Sequence, residues 1–295
     1  MESQQLLHLD SLPVRTGGLS FIKDLDKYKH EKPYKWTATL DESKEHLRTN
    51  IALESRDDVI FRDVRSLIGQ EDKLSVRNHG FQILRYTSID NSAIKEESVL
   101  KEYVTGLAES IKEAVSAELV YCVNFVFRQC TRAMIMSPED TYRKAGPPGS
   151  AKEPELPAFP AHAVTSLSAI KYSAYILITR SAWSPLYKPV QNAPLAFCHP
   201  ATLSPNDVLE VDAVRPDRVT GVRYLKYKPN HQWYWCSNQA PNEVSVFKSW
   251  DSDPEDPLPF VPHGAVRFDL GEPTTSENAD EVLRDSFGSA VRGRS

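Results

Sequence analysis

Two kinds of hydrophobic spacing divide the chain. Between Ser98 and Ala117 apolar residues recur every three or four positions, which predicts one amphipathic helix. The apolar run Leu119 to Phe127 follows at once, and its β-branched and aromatic residues are typical of a buried strand. Short apolar strand-like runs occur at 59–61 and 80–84 near the start. Beyond Pro160 the apolar runs are again short and separated by turns, at 173–179, 193–198, 221–227, 232–236, 243–248 and 265–268. This spacing predicts a mainly β protein with flanking helices, a sandwich or barrel rather than a parallel sheet.

The sequence is interpreted as one domain with three parts. Residues 1–60 mix short apolar runs with turn and charge signals and predict an extended N-terminal arm. Residues 61–140 supply flanking strands and the helix, and residues 160–292 supply the β core. The stretch 144–160 is rich in proline and glycine, which predicts either a functional loop or lid or a solvated connector.

Composition excludes several classes of protein. The net charge of −5 and the pI near 5.9 argue against nucleic-acid binding, which normally needs a basic face. No apolar run reaches the roughly 20 residues that span a bilayer, and the N-terminus lacks a signal-peptide pattern, so we expect a cytoplasmic protein without a membrane partner. The four cysteines form no CxxC pair, and no glycine-rich phosphate loop occurs, so zinc and nucleotide chemistry have no support.

Two histidines suggest an incomplete metal site. His162 and His263 lie about a hundred residues apart, within the predicted β core. A mononuclear iron oxygenase uses two imidazoles and one carboxylate on one face of the metal. Val164 occupies the position two residues after His162, where that carboxylate is expected, and valine has no lone pair to offer a metal.

A set of distinctive segments runs through nearly the whole chain. They are Asn50, Asp63-Val64-Arg65, His79-Gly80-Phe81, Trp183-Ser184-Pro185-Leu186, Pro194 to Cys198, Asn230 to Trp235, Ser237 to Val244, Phe247 to Ser252 and Pro262 to Ala265. In these residues the chain closely resembles the fungal and bacterial family that includes the cephalosporin 7-alpha-methoxylase component, the aspergillic acid hydroxylase and gibberellin-desaturase-like proteins.

The resemblance implies a double-stranded β-helix (jelly roll) that uses Fe(II) and 2-oxoglutarate, typically in natural-product pathways. It implies that His162 and His263 are the two imidazole ligands and that Val164 stands at the position of the aspartate. The family's Arg-Glu-Ser motif, whose arginine binds the 2-oxoglutarate carboxylate, corresponds here to Arg284-Asp285-Ser286. The residues that follow, Phe287 to Arg292, depart from the family pattern, and we expect small-residue insertions there to shift or loosen Arg284.

The altered site leaves several interpretations open. An intact triad would support an oxygenase, and a small Ala or Gly in the carboxylate position would admit a halide, as in related halogenases. Val164 removes the first option and crowds the second, so the sequence predicts an enzyme without cofactor that catalyses a non-oxidative dehydration or cyclisation, for example a hetero-Diels–Alder reaction. The alternatives are an Fe(II)/2-oxoglutarate-dependent hydroxylase or desaturase with an unusual third ligand, and a non-enzymatic partner in a two-component system. The third ligand could come from a carboxylate elsewhere in the chain, with these candidates: Asp207, Asp212, Glu243 and Asp251.

The candidate site residues follow from these interpretations. The predicted catalytic residues, which act by proton transfer or hydrogen bonding, are His162, His263, Arg284, Lys171 and Tyr172. The predicted substrate-binding residues are Val164, Tyr175, Trp233, Tyr234 and Trp235, although alternation along a strand places the two tryptophans on one face and Tyr234 on the other. The expected partner is a small polyketide or terpenoid intermediate, and a homodimer is possible.

Overall fold

The computed structural model describes residues 11–36, 40–86, 93–130, 160–164, 175–215, 219–251, 260–268 and 280–292. The strands, in chain order, are β1 (Val14–Ile22), β2 (Tyr34–Trp36), β3 (Leu53–Asp63), β4 (Phe81–Arg85), β5 (Leu119–Cys130), β6 (His162–Val164), β7 (Tyr175–Pro185), β8 (Leu195–Cys198), β9 (Val208–Val214), β10 (Val219–Leu225), β11 (Trp233–Trp235), β12 (Glu243–Asp251), β13 (His263–Ala265) and β14 (Asp280–Arg292). The helices are α1 (Val76–His79) and α2 (Glu97–Val115), and short 3-10 turns occupy 26–29, 42–47, 65–67, 200–202 and 205–207.

The strands form two sheets. The nine-stranded sheet has the order β1-β3-β11-β8-β13-β6-β10-β9-β2, and the five-stranded sheet has the order β4-β12-β7-β14-β5. Most neighbours are antiparallel; the parallel pairs are β11 with β3 and β2 with β9. The predicted mainly β architecture with flanking helices is confirmed, and the two facing sheets have the arrangement expected of a jelly roll.

Three hydrophobic clusters hold these layers together. The first cluster joins the outer face of the five-stranded sheet to α2, through residues such as Ala182, Val246 and Leu107. The second fills the space between the two sheets, where Trp183 and Phe247 meet Phe197 and others of the nine-stranded sheet. The third lies on the opposite face of the nine-stranded sheet and includes Leu19, Phe21, Phe61, Trp233 and Trp235. We call the face of each sheet that contributes to the second cluster its inner face.

Helix α2 agrees closely with its predicted range. Its buried residues, Tyr103, Leu107, Ala108 and Ile111, recur at the spacing of one helical face. The helix ends at Ser116, which has the left-handed conformation (φ 52°) common one residue past a helix. The strand that follows begins at Leu119 as predicted and extends to Cys130.

Local chemistry explains how α1 leads into β4. The Ser75 hydroxyl accepts a hydrogen bond from the Asn78 amide at the start of this short helix. Gly80 ends it with φ 82°, and a Cβ atom there would lie 2.5 Å from a methyl carbon of Val261. Glycine is therefore required at position 80 for two reasons: the left-handed backbone conformation and the close approach of the segment before β13.

Two differences from the predicted strands affect the site. The last predicted core strand, at 265–268, begins earlier in the structure, so that His263 is the first residue of β13. The segment around Arg284 is a 13-residue strand, β14, which pairs with β7 from Val282 to Arg292 without a register shift. The expected change at Arg284 stays a prediction: the ladder of β14 with β7 continues through Gly288, whereas its ladder with β5 shifts register between Ser286 and Phe287.

Candidate metal and co-substrate site

His162 and His263 lie side by side on adjacent strands. They are direct partners in the antiparallel pair of β6 and β13, and their ring centroids are 4.5 Å apart. Their exposed fractions are 8% and 2%, so both imidazoles are inside the protein. Antiparallel partners point to the same side of a sheet, which explains why two residues distant in sequence share one site.

Backbone hydrogen bonds fix the protonation of both rings. The Nδ1 atom of His162 is 2.8 Å from the carbonyl oxygen of Pro160, and the Nδ1 atom of His263 is 2.9 Å from that of Val261. A carbonyl oxygen can only accept, so each Nδ1 carries the proton. In the neutral imidazole the lone pair is then on Nε2, which is the arrangement of a metal-binding histidine oriented by a second-shell carbonyl.

The histidines belong to a row of aromatic residues across the nine-stranded sheet. Register aligns Tyr234, Phe197, His263, His162 and Tyr224 on five neighbouring strands, from β11 to β10. Tyr234 is fully buried at one end, and its hydroxyl donates to Gln232. Tyr224 is partly exposed at the other end, with its ring centroid 6.3 Å from that of His162. The solvent-accessible end of the row is therefore on the Tyr224 side.

Phe247 connects this row to the five-stranded sheet. Its ring centroid is 4.4 Å from that of His263 and 5.2 Å from that of Phe197. Phe247 is fully buried on β12, so it restricts the position of the His263 ring from the facing sheet. The sequence offered no signal for this contact, because β12 and β13 are not neighbours in either sheet.

The remaining predicted catalytic residues are less fully described. Lys171 and Tyr172 lie outside the described residues, and Tyr175 is described only as the first residue of β7. Val164 is in β6 opposite Val222, and Arg284 is in β14 opposite Trp183. For these two the structure describes the strand and the register.

The predicted aromatic substrate contacts have packing roles. Trp233 and Trp235 are 2% and 7% exposed in the third cluster, on the face of the sheet away from the histidines. Tyr234 is on the inner face as alternation predicted, where its ring packs near Phe81 at a centroid distance of 5.7 Å. The structure describes these three side chains as buried packing residues, and substrate binding by them stays a prediction.

None of the four carboxylates considered as a third ligand reaches the histidines. Within the described part of the chain, no three His, Cys, Asp or Glu residues form a metal-binding group. Each candidate instead pairs elsewhere: Asp207 with His231 at 3.1 Å, Asp212 with Lys32 at 2.5 Å, Glu243 with Arg65 at 2.6 Å and Asp251 with Lys248 at 3.3 Å.

The Asp63-Val64-Arg65 motif has a structural role. Arg65 binds both carboxylate oxygens of Glu243 and also donates to the Ser237 carbonyl, while the Asp63 carboxylate accepts from the Ser237 amide. The Ala240 amide donates to the other side of Glu243. These bonds fix the connection between β11 and β12, which brings Phe247 to its place beside His263.

A second pair of buried histidines is distinct in its chemistry. His79 and His199 have ring centroids 5.8 Å apart, and burial lowers the pKa of both, that of His199 to about 4. The Nδ1 atom of each accepts from a backbone amide, of Ser75 and Ala201 respectively. The proton is therefore on Nε2, the opposite tautomer to that of His162 and His263, so this pair is not prepared for a metal.

Comparison with known proteins identifies the family. A family model described as an oxidoreductase/YMDC permease-like domain matches residues 19–287. The chain belongs to this family. The chain is also similar to the α-ketoglutarate-dependent dioxygenase tstK of Talaromyces stipitatus, with 28% identity over 62% of this chain and 69% of that protein. It is 26% identical to the Fe(II)/2-oxoglutarate-dependent dioxygenase nvfI of Aspergillus novofumigatus, over 66% of this chain and 70% of that one.

A solved structure confirms the fold. The iron and α-ketoglutarate-dependent endoperoxidase NvfI superimposes with a TM-score of 0.75 at 20% identity, covering 95% of this chain and 98% of that one. The predicted jelly-roll core and the resemblance to an oxygenase family are confirmed. No helix in the described part of the chain is long and apolar enough to cross a membrane.

The prediction that the protein uses no cofactor was wrong. Relatives that match most of the chain carry the names of enzymes dependent on Fe(II) and 2-oxoglutarate, or on α-ketoglutarate. The prediction gave the missing aspartate too much weight, because the geometry of the histidines was not visible in the sequence. The two rings fit a metal as ligands: they are adjacent, buried and held in the tautomer whose Nε2 lone pair can coordinate.

Proposed function

We propose that this protein is an Fe(II)/2-oxoglutarate-dependent oxidoreductase of the hydroxylase or desaturase type. The observation that carries the proposal is the pair of carbonyl hydrogen bonds that hold His162 and His263 side by side in one tautomer. Its relatives support the same class, since they are named as dioxygenases and as hydroxylase/desaturases. A non-oxidative dehydration or cyclisation has no comparable support.

His162 and His263 are the residues that would hold the iron through Nε2. When bound, iron with 2-oxoglutarate would activate dioxygen, the oxidant for attack on an unactivated C–H bond. The carbonyls of Pro160 and Val261 orient the two rings, and Phe247 keeps water from one side of His263. The described residues add no carboxylate to the two histidines. Two neutral imidazoles bind divalent iron more weakly than a complete triad, so the anionic co-substrate would have a larger share in retaining the metal.

The surroundings of the histidines favour an apolar substrate. Phe197 and Phe247 are buried beside His263, and Tyr224 lies at the accessible end of the row beside His162. Mostly apolar surfaces with a few polar groups are typical of small-molecule sites. A hydrophobic natural-product intermediate, approaching from the Tyr224 side, is the substrate that this arrangement suits.

Anaerobic titration of the full chain with Fe(II) and 2-oxoglutarate tests the proposal. We expect binding by calorimetry and a charge-transfer absorption band that needs both components. The variants His162→Gln and His263→Gln remove one ligand each, and we expect each to weaken Fe(II) binding by roughly a hundredfold, at the upper end of the effect of losing a supporting group.

His231→Gln is the matched control, because His231 is also buried but is hydrogen-bonded to Asp207. It should fold and bind Fe(II) like the parent protein, with folding checked by circular dichroism. If the parent chain binds neither Fe(II) nor 2-oxoglutarate, or if both histidine variants bind as well as the control, the proposal is wrong.

A further inference from the structure

We propose that β5 is a homodimer interface, at which two copies of the chain pair edge to edge in antiparallel orientation. This strand is the last one of the five-stranded sheet, and within the described part of the chain its only strand partner is β14. Its other edge carries the row of backbone N–H and C=O groups with which a further strand can pair. The surface lies three strands from β12 and Phe247, so the proposal does not depend on the proposed function.

The sequence of β5 lacks the residue types that protect an edge strand. Residues 119–127 read LVYCVNFVF and contain no charged residue, no proline and no glycine. Natural edge strands usually carry a lysine or proline that prevents pairing with another chain. Uncharged stretches of this length with high β propensity associate readily when they are exposed. We therefore expect another strand to cover this edge.

Apolar side chains of β5 are exposed at several positions. The exposed fractions are 54% for Leu119, 40% for Tyr121 and 41% for Phe125. Other side chains of the strand, such as Val120 and Phe127, pack against the first cluster beside α2. Single exposed apolar residues are normal, but three of them along one edge strand form the kind of surface that marks a protein interface.

The two parts of β5 differ in which residues lie on the inner face of the sheet. Cys122 packs against the first cluster, so alternation places Tyr121 on the inner face. Phe127 packs against the same cluster, which places Val126 on the inner face and Phe125 on the outer one. The register shift of β5 against β14 lies between these two parts and accounts for the change of phase.

This change of phase makes β5 complementary to itself. Antiparallel partners share a face of the sheet. Two copies related by a two-fold axis perpendicular to the sheet meet this condition when Tyr121 lies opposite Val126 of the second copy and Cys122 lies opposite Phe125 of the second copy. Each contact then occurs twice, as in every two-fold interface. The five-stranded sheets of the two copies would form one continuous sheet of ten strands.

The charges that flank the apolar stretch favour the antiparallel arrangement. Glu118 precedes the stretch and Arg128 follows it. Antiparallel pairing brings the Glu118 end of one copy to the Arg128 end of the other, so opposite charges meet at both ends of the interface. Parallel pairing would bring like charges together, which is unfavourable across an interface.

Sedimentation equilibrium of the full chain tests the interface. We expect the parent chain to form a dimer. Tyr121→Asp and Val126→Lys each place an unpaired charge in the interface, and each should raise the dissociation constant of the dimer by roughly a hundredfold. Mixing equal amounts of the two variants should restore a dimer, because Asp of one copy then faces Lys of the other.

Tyr187→Asp is the matched control. Tyr187 is 47% exposed but lies beyond the end of β7, outside β5, so this variant should dimerise like the parent. Circular dichroism checks the folding of each variant. Hydrogen exchange of the parent needs no variant: the amides of 119–127 should gain protection as the dimer forms.

Four results would overturn the proposal. They are a monomeric parent chain, a Tyr121→Asp variant as dimeric as the control, a mixture of the two charged variants that does not associate, and amides of 119–127 that are equally protected in the monomer. The last result would mean that the chain covers this edge itself. Fe(II) binding by the parent is a separate measurement, so the proposed function stands or falls independently.

Discussion

Buried His199 should make the protein sensitive to mild acid. The residue is 2% exposed, and burial, followed by the nearby His79, lowers its pKa from the usual 6.5 to about 4. The unfolded chain binds this proton near pH 6.5, whereas the folded chain resists it until about pH 4. The unfolded state therefore holds more protons in this window, and the free energy of unfolding falls as the pH falls.

The size of the effect follows from the difference between the two pKa values. A difference of about 2.5 units corresponds to about 3 kcal/mol once both states are protonated, at about 1.4 kcal/mol per unit. Between pH 7.5 and pH 5 the contribution of His199 alone is about 2 kcal/mol. This is a large fraction of the stability of an ordinary domain, which is about 5–15 kcal/mol.

The variant His199→Asn isolates this contribution. His199 caps the 3-10 turn at 200–202 through a hydrogen bond from the Ala201 amide, and asparagine keeps a cap but does not titrate. Urea unfolding at several pH values should show that the parent loses about 2 kcal/mol more than the variant between pH 7.5 and 5. The exposed His46→Asn should behave like the parent. Parallel pH profiles for the parent and His199→Asn would refute the assignment.

Two further predictions concern the scaffold. Gly80→Ala should lower the free energy of unfolding by about 3 kcal/mol, because alanine is strained in the left-handed conformation and its Cβ atom would clash with Val261. The control Gly69→Ala has φ 81° but open space around it, so it should lower that free energy by only about 1 kcal/mol. Equal urea midpoints for the two variants would contradict this prediction. Arg65→Met should lower the free energy of unfolding by about 3 kcal/mol, because it removes the ion-pair partner of buried Glu243. The double variant Arg65→Met/Glu243→Met should recover part of that loss. Additive losses in the double-mutant cycle would show that the two residues do not stabilise the fold as a pair.

Part of the site could be predicted from sequence, because the contacts that orient its two histidines join residues close together in the chain. His162 was recognised from its immediate neighbours, and its carbonyl partner is only two residues away. The same holds for His263, whose Nδ1 bonds the Val261 carbonyl. Contacts between residues two positions apart recur in any protein that contains the same short segment, so a resemblance in sequence also predicts these contacts.

Residues brought in from other strands were not predictable in this way. Tyr224 reaches the site through cross-strand register, and Phe247 reaches it across the two sheets. The position of Trp233 and Trp235 was not predictable for the same reason, since alternation predicts two faces of a strand but not which of these faces carries the histidines.

The sequence by itself determined the β-rich class, helix α2 and the two histidines, because hydrophobic periodicity and short motifs are properties of neighbouring residues. The tertiary structure decided what surrounds the histidines. Pairing of β6 with β13 sets the two rings 4.5 Å apart, and the facing sheet supplies Phe247. Those contacts depend on strand order and register, which are set only when segments distant in the chain pack together and bury their apolar surfaces.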